Sequence, residues 1–149
     1  MGRNAVRPGA RPRGRAALKP ASIQIARHRL ERARSALRDG ETLLAQESLT
    51  GAGNRFYYAA FYAARAVLAT RELNSSRHSG VIALFQKHFV KTKVFNPAVA
   101  KALPRAFENR QKCDYEDFAA LTPEEAQQLR NSAFVMRLPG PGTLARISC

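Results

Sequence analysis

The sequence predicts an all-α protein, a helical bundle in a single domain. Two observations carry this. Apolar residues recur at three-, four- and seven-residue intervals in several segments. No segment sustains the strict alternation of a half-buried strand. A chain of 149 residues with 45% hydrophobic residues has the size and apolar content of one packed domain.

Taken in order, the first helix is capped at Ser22 in this reading. Ile23, Ala26, Leu30, Ala33, Leu37 and Leu44 keep the helical rhythm to about residue 48. Gly40 falls inside it and weakens a helix by about 1 kcal/mol relative to Ala. The remaining positions carry Arg27, Arg29, Arg32, Arg34 and Arg38, read as a solvated face. Leu49 to Gly53 reads as a turn.

The second helix, about 53–72, is apolar almost all round and belongs in the middle of a bundle. Tyr57 and Phe61, and Tyr58 and Tyr62, are i,i+4 pairs along its flanks, and its alanines allow close approach of neighbours. Ser76 or Ser79 caps a third helix carrying Val81, Ile82, Phe85 and Phe89. A fourth runs from Pro97 to about 114 with Val99, Leu103, Ala106 and Phe107 near one face. Pro104 inside it is expected to kink or break it. Thr122-Pro123-Glu124-Glu125 is a strong start for a fifth helix with Ala126, Leu129, Ala133 and Met136 inward.

Charge divides the chain into three parts. Lys+Arg outnumber Asp+Glu by 25 to 11, for a net +14, and six of the basic residues lie in the first twenty positions. Residues 1–21, rich in Arg, Pro and Gly, read as a disordered basic tail. Residues 22–138 form the domain, and 139–149 a flexible tail. Between positions 21 and 136 the chain still carries 17 basic against 11 acidic residues, a surface that attracts polyanions. Cys113 and Cys149 make neither a metal spacing nor a disulfide framework. No run is long and apolar enough for a membrane span, and no secretory h-region follows the N-terminus. A reducing, cytoplasmic location without membrane association is the expectation.

His28, His78 and His88 fall in no ligand motif, so neither a metal nor a cofactor is expected. No phosphate-binding Gly-rich loop and no nucleophile–base arrangement is visible; Gly51-Ala52-Gly53 reads only as a turn. The polar residues gather at the end of the fourth helix: Glu108, Asn109, Arg110, Gln111, Lys112, Asp114 and Tyr115. Arg110 and Asp114 stand at i,i+4, the spacing of an ion pair at a helix end. Arg55 and Arg65 interrupt the apolar second helix and call for a carboxylate, with Asp114 or Glu108 as suppliers.

Three stretches together resemble the HEPN superfamily, in particular its small prokaryotic branch associated with minimal nucleotidyltransferases. They are Gly51 with Asn54-Arg55-Phe56-Tyr57-Tyr58-Ala59 and Arg65-Ala66; Arg77-His78-Ser79-Gly80 through Phe85; and Glu108-Asn109-Arg110 with Asp114-Tyr115. The resemblance spans about residues 25–137. It implies an up-and-down antiparallel bundle of four to five helices, usually a homodimer. It also implies a minimal nucleotidyltransferase as partner in a toxin–antitoxin pair. Active members of the family are metal-independent ribonucleases with an Arg, four variable residues and a His near the dimer cleft. There the His acts as base on the 2′-hydroxyl and the Arg stabilises charge on the phosphate.

This chain departs at the decisive position. Arg110 is present, but Tyr115 stands where the His would be. A tyrosine with an ordinary pKa of about 10 is a poor base at neutral pH. The tyrosine that partner enzymes modify in some members would fall at Asp117. The reading is therefore a partner-binding module with weak or no catalysis, binding nucleotide or RNA through Arg55, His78, Asn109, Arg110, Asp114 and Tyr115. One alternative is an endoribonuclease toxin using Arg110 with Tyr115 or His78. The other is a structural dimer with no nucleic-acid role. His78 itself reads as a first-turn residue tying down a loop.

Overall fold

A computed structural model describes residues 19–91, 97–115 and 121–136, with side chains for all of these except 97–100 and 112–115. They form an all-α bundle: α1 (Pro20–Ala45), α2 (Leu49–Ala69), α3 (His78–Phe85), α4 (Pro97–Tyr115) and α5 (Pro123–Met136). A π-helical turn, Gln86–Val90, extends α3. The described residues contain no strand. The two terminal tails foreseen in the sequence lie outside the described residues, except that α1 already begins at Pro20.

The α1–α2 pair is the backbone of the bundle. Its antiparallel register can be read from contacts between positions equally far from the connecting turn. Leu43 meets Gly51, Gly40 meets Phe56, Asp39 reaches Arg55, and Arg32 reaches Tyr62. The turn is not where the glycines are. It lies at Gln46–Ser48, and Leu49 to Gly53 is already helix. Glu47 ends α1 in the left-handed region (φ 61°), with Ser48 N–H donating to Leu43 O and Glu47 N–H to Leu44 O. Glu72 (φ 57°) closes α2 in the same way, through Leu73 N–H to Leu68 O.

The glycines serve helix packing instead. A Cβ at Gly40 would sit 2.5 Å from the Phe56 ring, and one at Gly53 would meet the side chains of Leu121 and Leu129. Gly40 is therefore where α2 presses on α1, within a single continuous helix. α2 is the central element, contacting α1, α3, α4 and α5. Phe56, Tyr57, Ala60, Ala64, Ala66 and Val67 are fully buried on it, as its apolar composition predicts.

Other boundaries differ from the sequence reading. Ser22 does not cap α1; it is buried within it, behind Pro20 at the first helical position. Neither Ser76 nor Ser79 caps α3, whose N-cap is Arg77; Ser75 Oγ accepts from the Arg77 N–H. Pro104 does not break α4, which continues through it with Leu103 and Ala106 fully buried. Burial of the residues on either side offsets the lost N–H bond. The start of α5 is as read. Thr122 Oγ1 accepts from Glu125 N–H at 3.1 Å while Thr122 N–H donates to Glu125 Oε1 at 3.0 Å. Glu41 and Arg130 tie α1 to α5 by an ion pair. Val99 and the connection at 116–120 lie outside the described side chains.

Candidate functional site

The polar centre forms where α2, α3 and α4 meet. It is built on the aromatic residues of α2. Successive turns place Tyr57, Tyr58, Phe61 and Tyr62 close together, Tyr57 stacked with Phe61 at 5.8 Å and Tyr58 edge-on to Tyr57 at 5.1 Å. His78, at the first turn of α3, stacks on Phe61 at 4.2 Å, and its Nδ1 lies 2.6 Å from the Tyr57 hydroxyl. Arg110 on α4 donates to the Tyr58 hydroxyl at 3.4 Å, its guanidinium 5.3 Å from the Tyr57 ring centroid and 5.5 Å from that of Tyr58. The structure thus brings Arg110 and His78, separate in sequence, to one aromatic platform.

The electrostatics follow from burial next to a cation. Burial raises the Tyr57 phenol above its ordinary value, with Arg110 opposing and Tyr58 adding, so it stays protonated. Burial lowers the His78 imidazole, and the Arg110 and Arg65 charges lower it further. His78 is therefore neutral at pH 7.

Beside this platform opens a cleft of about 360 Å³, lined by the first turn of α2 (Thr50, Gly51, Gly53, Asn54), Tyr58, Asn109, Arg110, Leu121 and Leu129. The first turn of α2 has no acidic residue, and Ser48 makes no side-chain cap bond there, which leaves the helix end favourable to an anion. Asn109 Nδ2 is buried without a hydrogen-bond partner among the described residues. The lining holds one cation, Arg110, and no carboxylate, with the hydrogen-bonding groups of Thr50, Asn54, Tyr58 and Asn109 set beside apolar Leu121 and Leu129, an arrangement that admits an anionic ligand.

Of the other residues singled out from sequence, Arg55 turns toward α1, with Asp39 at 3.9 Å, and Arg65 donates to Asn74 Oδ1 at 3.1 Å. Neither takes Glu108 as partner among the described contacts. The side chains of Asp114 and Tyr115 lie outside the described residues. Sequence reading treated Tyr57 and Tyr58 as core alone. Two phenolic hydroxyls in so apolar a helix were the available signal, since a buried hydroxyl needs a partner. Among the described residues, no three His, Cys, Asp or Glu side chains gather as metal ligands would. No helix there is long and apolar enough to cross a membrane.

The family model described as "HEPN domain" matches residues 26–136, which takes in α2 to α5 and most of α1. The chain belongs to the HEPN family. A "UPF0332 protein" of Thermotoga maritima is 42% identical over 96 residues, covering 64% of this chain and 73% of the relative. The "Putative toxin MJ0142" of Methanocaldococcus jannaschii is 33% identical over 106 residues, covering 71% and 72%. The "Putative toxin MJ0605" of the same organism is 35% identical over 75 residues, covering 50% and 55%. A toxin-type role is compatible with these relatives, and the matched span covers the aromatic platform and Arg110.

Proposed function

We propose that this HEPN protein is the partner of a minimal nucleotidyltransferase in a toxin–antitoxin-type pair. It acts as a homodimer that binds nucleotide or RNA beside Arg110, with weak or no catalysis. The observation carrying this reading is the cleft beside Arg110: its guanidinium is held over Tyr57 and Tyr58 at the edge, no carboxylate is in the lining, and the Asn109 Nδ2, buried there, has no hydrogen-bond partner among the described residues. Such a site holds phosphate oxygens through charge and directed N–H groups. The names of two relatives support the toxin–antitoxin setting. Five residues beyond Arg110 stands Tyr115, so the base of the family's ribonuclease motif is missing from the chain.

A second reading, a working endoribonuclease, has one observation in its favour: His78 shares the platform with Arg110. RNA cleavage by the purified chain, with Arg110→Ala prepared identically, separates the two. The expected result is no cleavage by either protein, weaker nucleotide or RNA binding by Arg110→Ala, and co-purification with a co-expressed minimal nucleotidyltransferase. Cleavage that disappears in Arg110→Ala would establish the ribonuclease instead. Failure of the two proteins to associate would remove the partner reading.

A further inference from the structure

A second cationic site lies on the other side of Tyr58, in a groove of about 510 Å³ between α1 and α2. Its polar lining includes His28, Arg29, Arg32, Tyr62 and Arg65, and no carboxylate is among its lining residues. Arg29 donates to the Arg65 carbonyl at 3.2 Å, which draws its guanidinium in beside that of Arg65. Arg32 lies over the Tyr62 ring at 4.5 Å and donates to its hydroxyl at 2.9 Å. Arg65 Nε is buried without a hydrogen-bond partner, and none of the three arginines has a carboxylate at ion-pair distance among the described residues.

Three cations gathered without a counter-charge is an unfavourable arrangement for stability alone. Burial and the neighbouring Arg65 charge both lower the Arg29 pKa, the signature of that repulsion. An anion in the groove would relieve it. The groove is also joined to the Arg110 cleft. Tyr58 and Tyr62 stand 5.7 Å apart, so contacts run without a gap from Arg110 through Tyr58 and Tyr62 to Arg32. Tyr58 to Arg65 covers seven residues of α2, about 10 Å of helix, longer than one phosphate group. A second copy of this chain docking by two-fold symmetry would set these arginines against themselves, which charge repulsion opposes.

We propose that the α1–α2 groove, through Arg29, Arg32 and Arg65, is a phosphate-binding subsite that extends the Arg110 cleft into a track for a single-stranded RNA backbone. This rests on the nucleotide-or-RNA reading of the Arg110 cleft and adds a second contact region to it. Guanidiniums engage phosphodiester oxygens by paired N–H donors, and the half-buried Tyr58 and Tyr62 between them suit a strand in preference to a lone ion.

The test is binding of a labelled oligouridylate to the full chain by fluorescence anisotropy, over a series of salt concentrations. The proteins compared are the parent, Arg29→Gln/Arg32→Gln, Arg29→Lys/Arg32→Lys and Arg110→Gln, each checked for folding by circular dichroism. Loss of two phosphate contacts should flatten the plot of log affinity against log salt by about 1.4, at roughly 0.7 per contact for a single strand. Affinity at low salt should fall by about tenfold or more. The lysine pair should keep the salt slope, because charge is retained. Unchanged affinity and slope in the glutamine pair, with a loss only in Arg110→Gln, would overturn the groove and leave the Arg110 cleft intact. A loss in the glutamine pair that ATP or inorganic phosphate reproduces with equal affinity would overturn the strand in favour of a free phosphate ligand. Unaltered RNA binding with a changed sedimentation mass would make the face a protein interface and overturn the proposal.

Discussion

Gly40→Ala tests the packing that sets α1 against α2. Two effects oppose each other. Alanine in a helix interior is better than glycine by about 1 kcal/mol. The new Cβ, however, would lie 2.5 Å from Phe56 Cε1 and 2.6 Å from Cδ1, where carbon atoms settle at about 3.5–4.0 Å. The ring must retreat by about 1 Å, and it has nowhere to go, since Phe56 is fully buried. Overpacking of this kind costs about 1–3 kcal/mol, so the net expectation is a loss of about 1 kcal/mol and a Tm lower by about 3–6 °C. Urea and thermal unfolding of Gly40→Ala measure it. The cause is isolated by repeating the substitution with Phe56→Leu, where the smaller side chain makes room. There Gly40→Ala should stabilise by about 1 kcal/mol, the helix-propensity gain alone. Equal effects in both backgrounds, or a gain in the parent, would refute the contact as the reason for a glycine at 40.

Two further predictions concern His78. Its folded-state pKa lies below the ordinary 6.5, so below pH 6.5 the unfolded chain takes up a proton that the folded chain refuses. Stability should fall as pH drops through 6.5, by at most about 1.4 kcal/mol per pH unit for this one group, and His78→Gln should remove that part of the fall in denaturation curves at pH 7.5 and 5.5. The second is its tautomer at pH 7.5: nitrogen-15 spectra should show the hydrogen on Nε2, with Tyr57→Phe abolishing the preference.

Much of the fold was legible because periodicity and caps are local. The apolar flanks of α1, α2 and α5 and the Thr122–Glu125 box needed only neighbours in sequence to interpret. The turn between α1 and α2 was not, because it is made by Glu47 in a left-handed conformation that glycine usually takes. Gly51 and Gly53 then read as the turn when they are contact points for Leu43 and Leu121. Of the residues named through the family resemblance, the structure sets Arg110 and His78 on one aromatic platform and Asn109 in the cleft beside it; their roles stay a proposal. The construction of that platform was not legible: that Tyr57 receives His78, and Tyr58 receives Arg110, depends on where α3 and α4 dock. The arginines of α1 illustrate the same limit. Arg27 and Arg38 are exposed, as a solvated face predicts, yet half-buried Arg29 and exposed Arg32 both reach across to α2. A regular spacing of cations carries no mark of which will be met by a neighbouring helix.

The Tyr57–His78 contact bears directly on whether His78 can replace the base that Tyr115 does not supply. A general base needs a free lone pair on the nitrogen that faces substrate. Tyr57 is fully buried, and His78 Nδ1 is the hydrogen-bond partner of its hydroxyl. Its raised pKa keeps the phenolic hydrogen in place, and that hydrogen needs an acceptor. If Tyr57 donates to Nδ1, the neutral imidazole carries its own hydrogen on Nε2 and offers no lone pair outward. If Nδ1 donates instead, Nε2 is free, but a buried hydroxyl hydrogen is left without an acceptor among the described residues, at a cost of about 1–3 kcal/mol. The tautomer that satisfies the core is thus the one that disarms the histidine. At 1.36 kcal/mol per tenfold, that cost holds the basic tautomer to a minor population of about one part in six or fewer. The same contact that fixes α3 against α2 thus works against base catalysis at His78, which supports the proposal that Arg110 serves as a binding group.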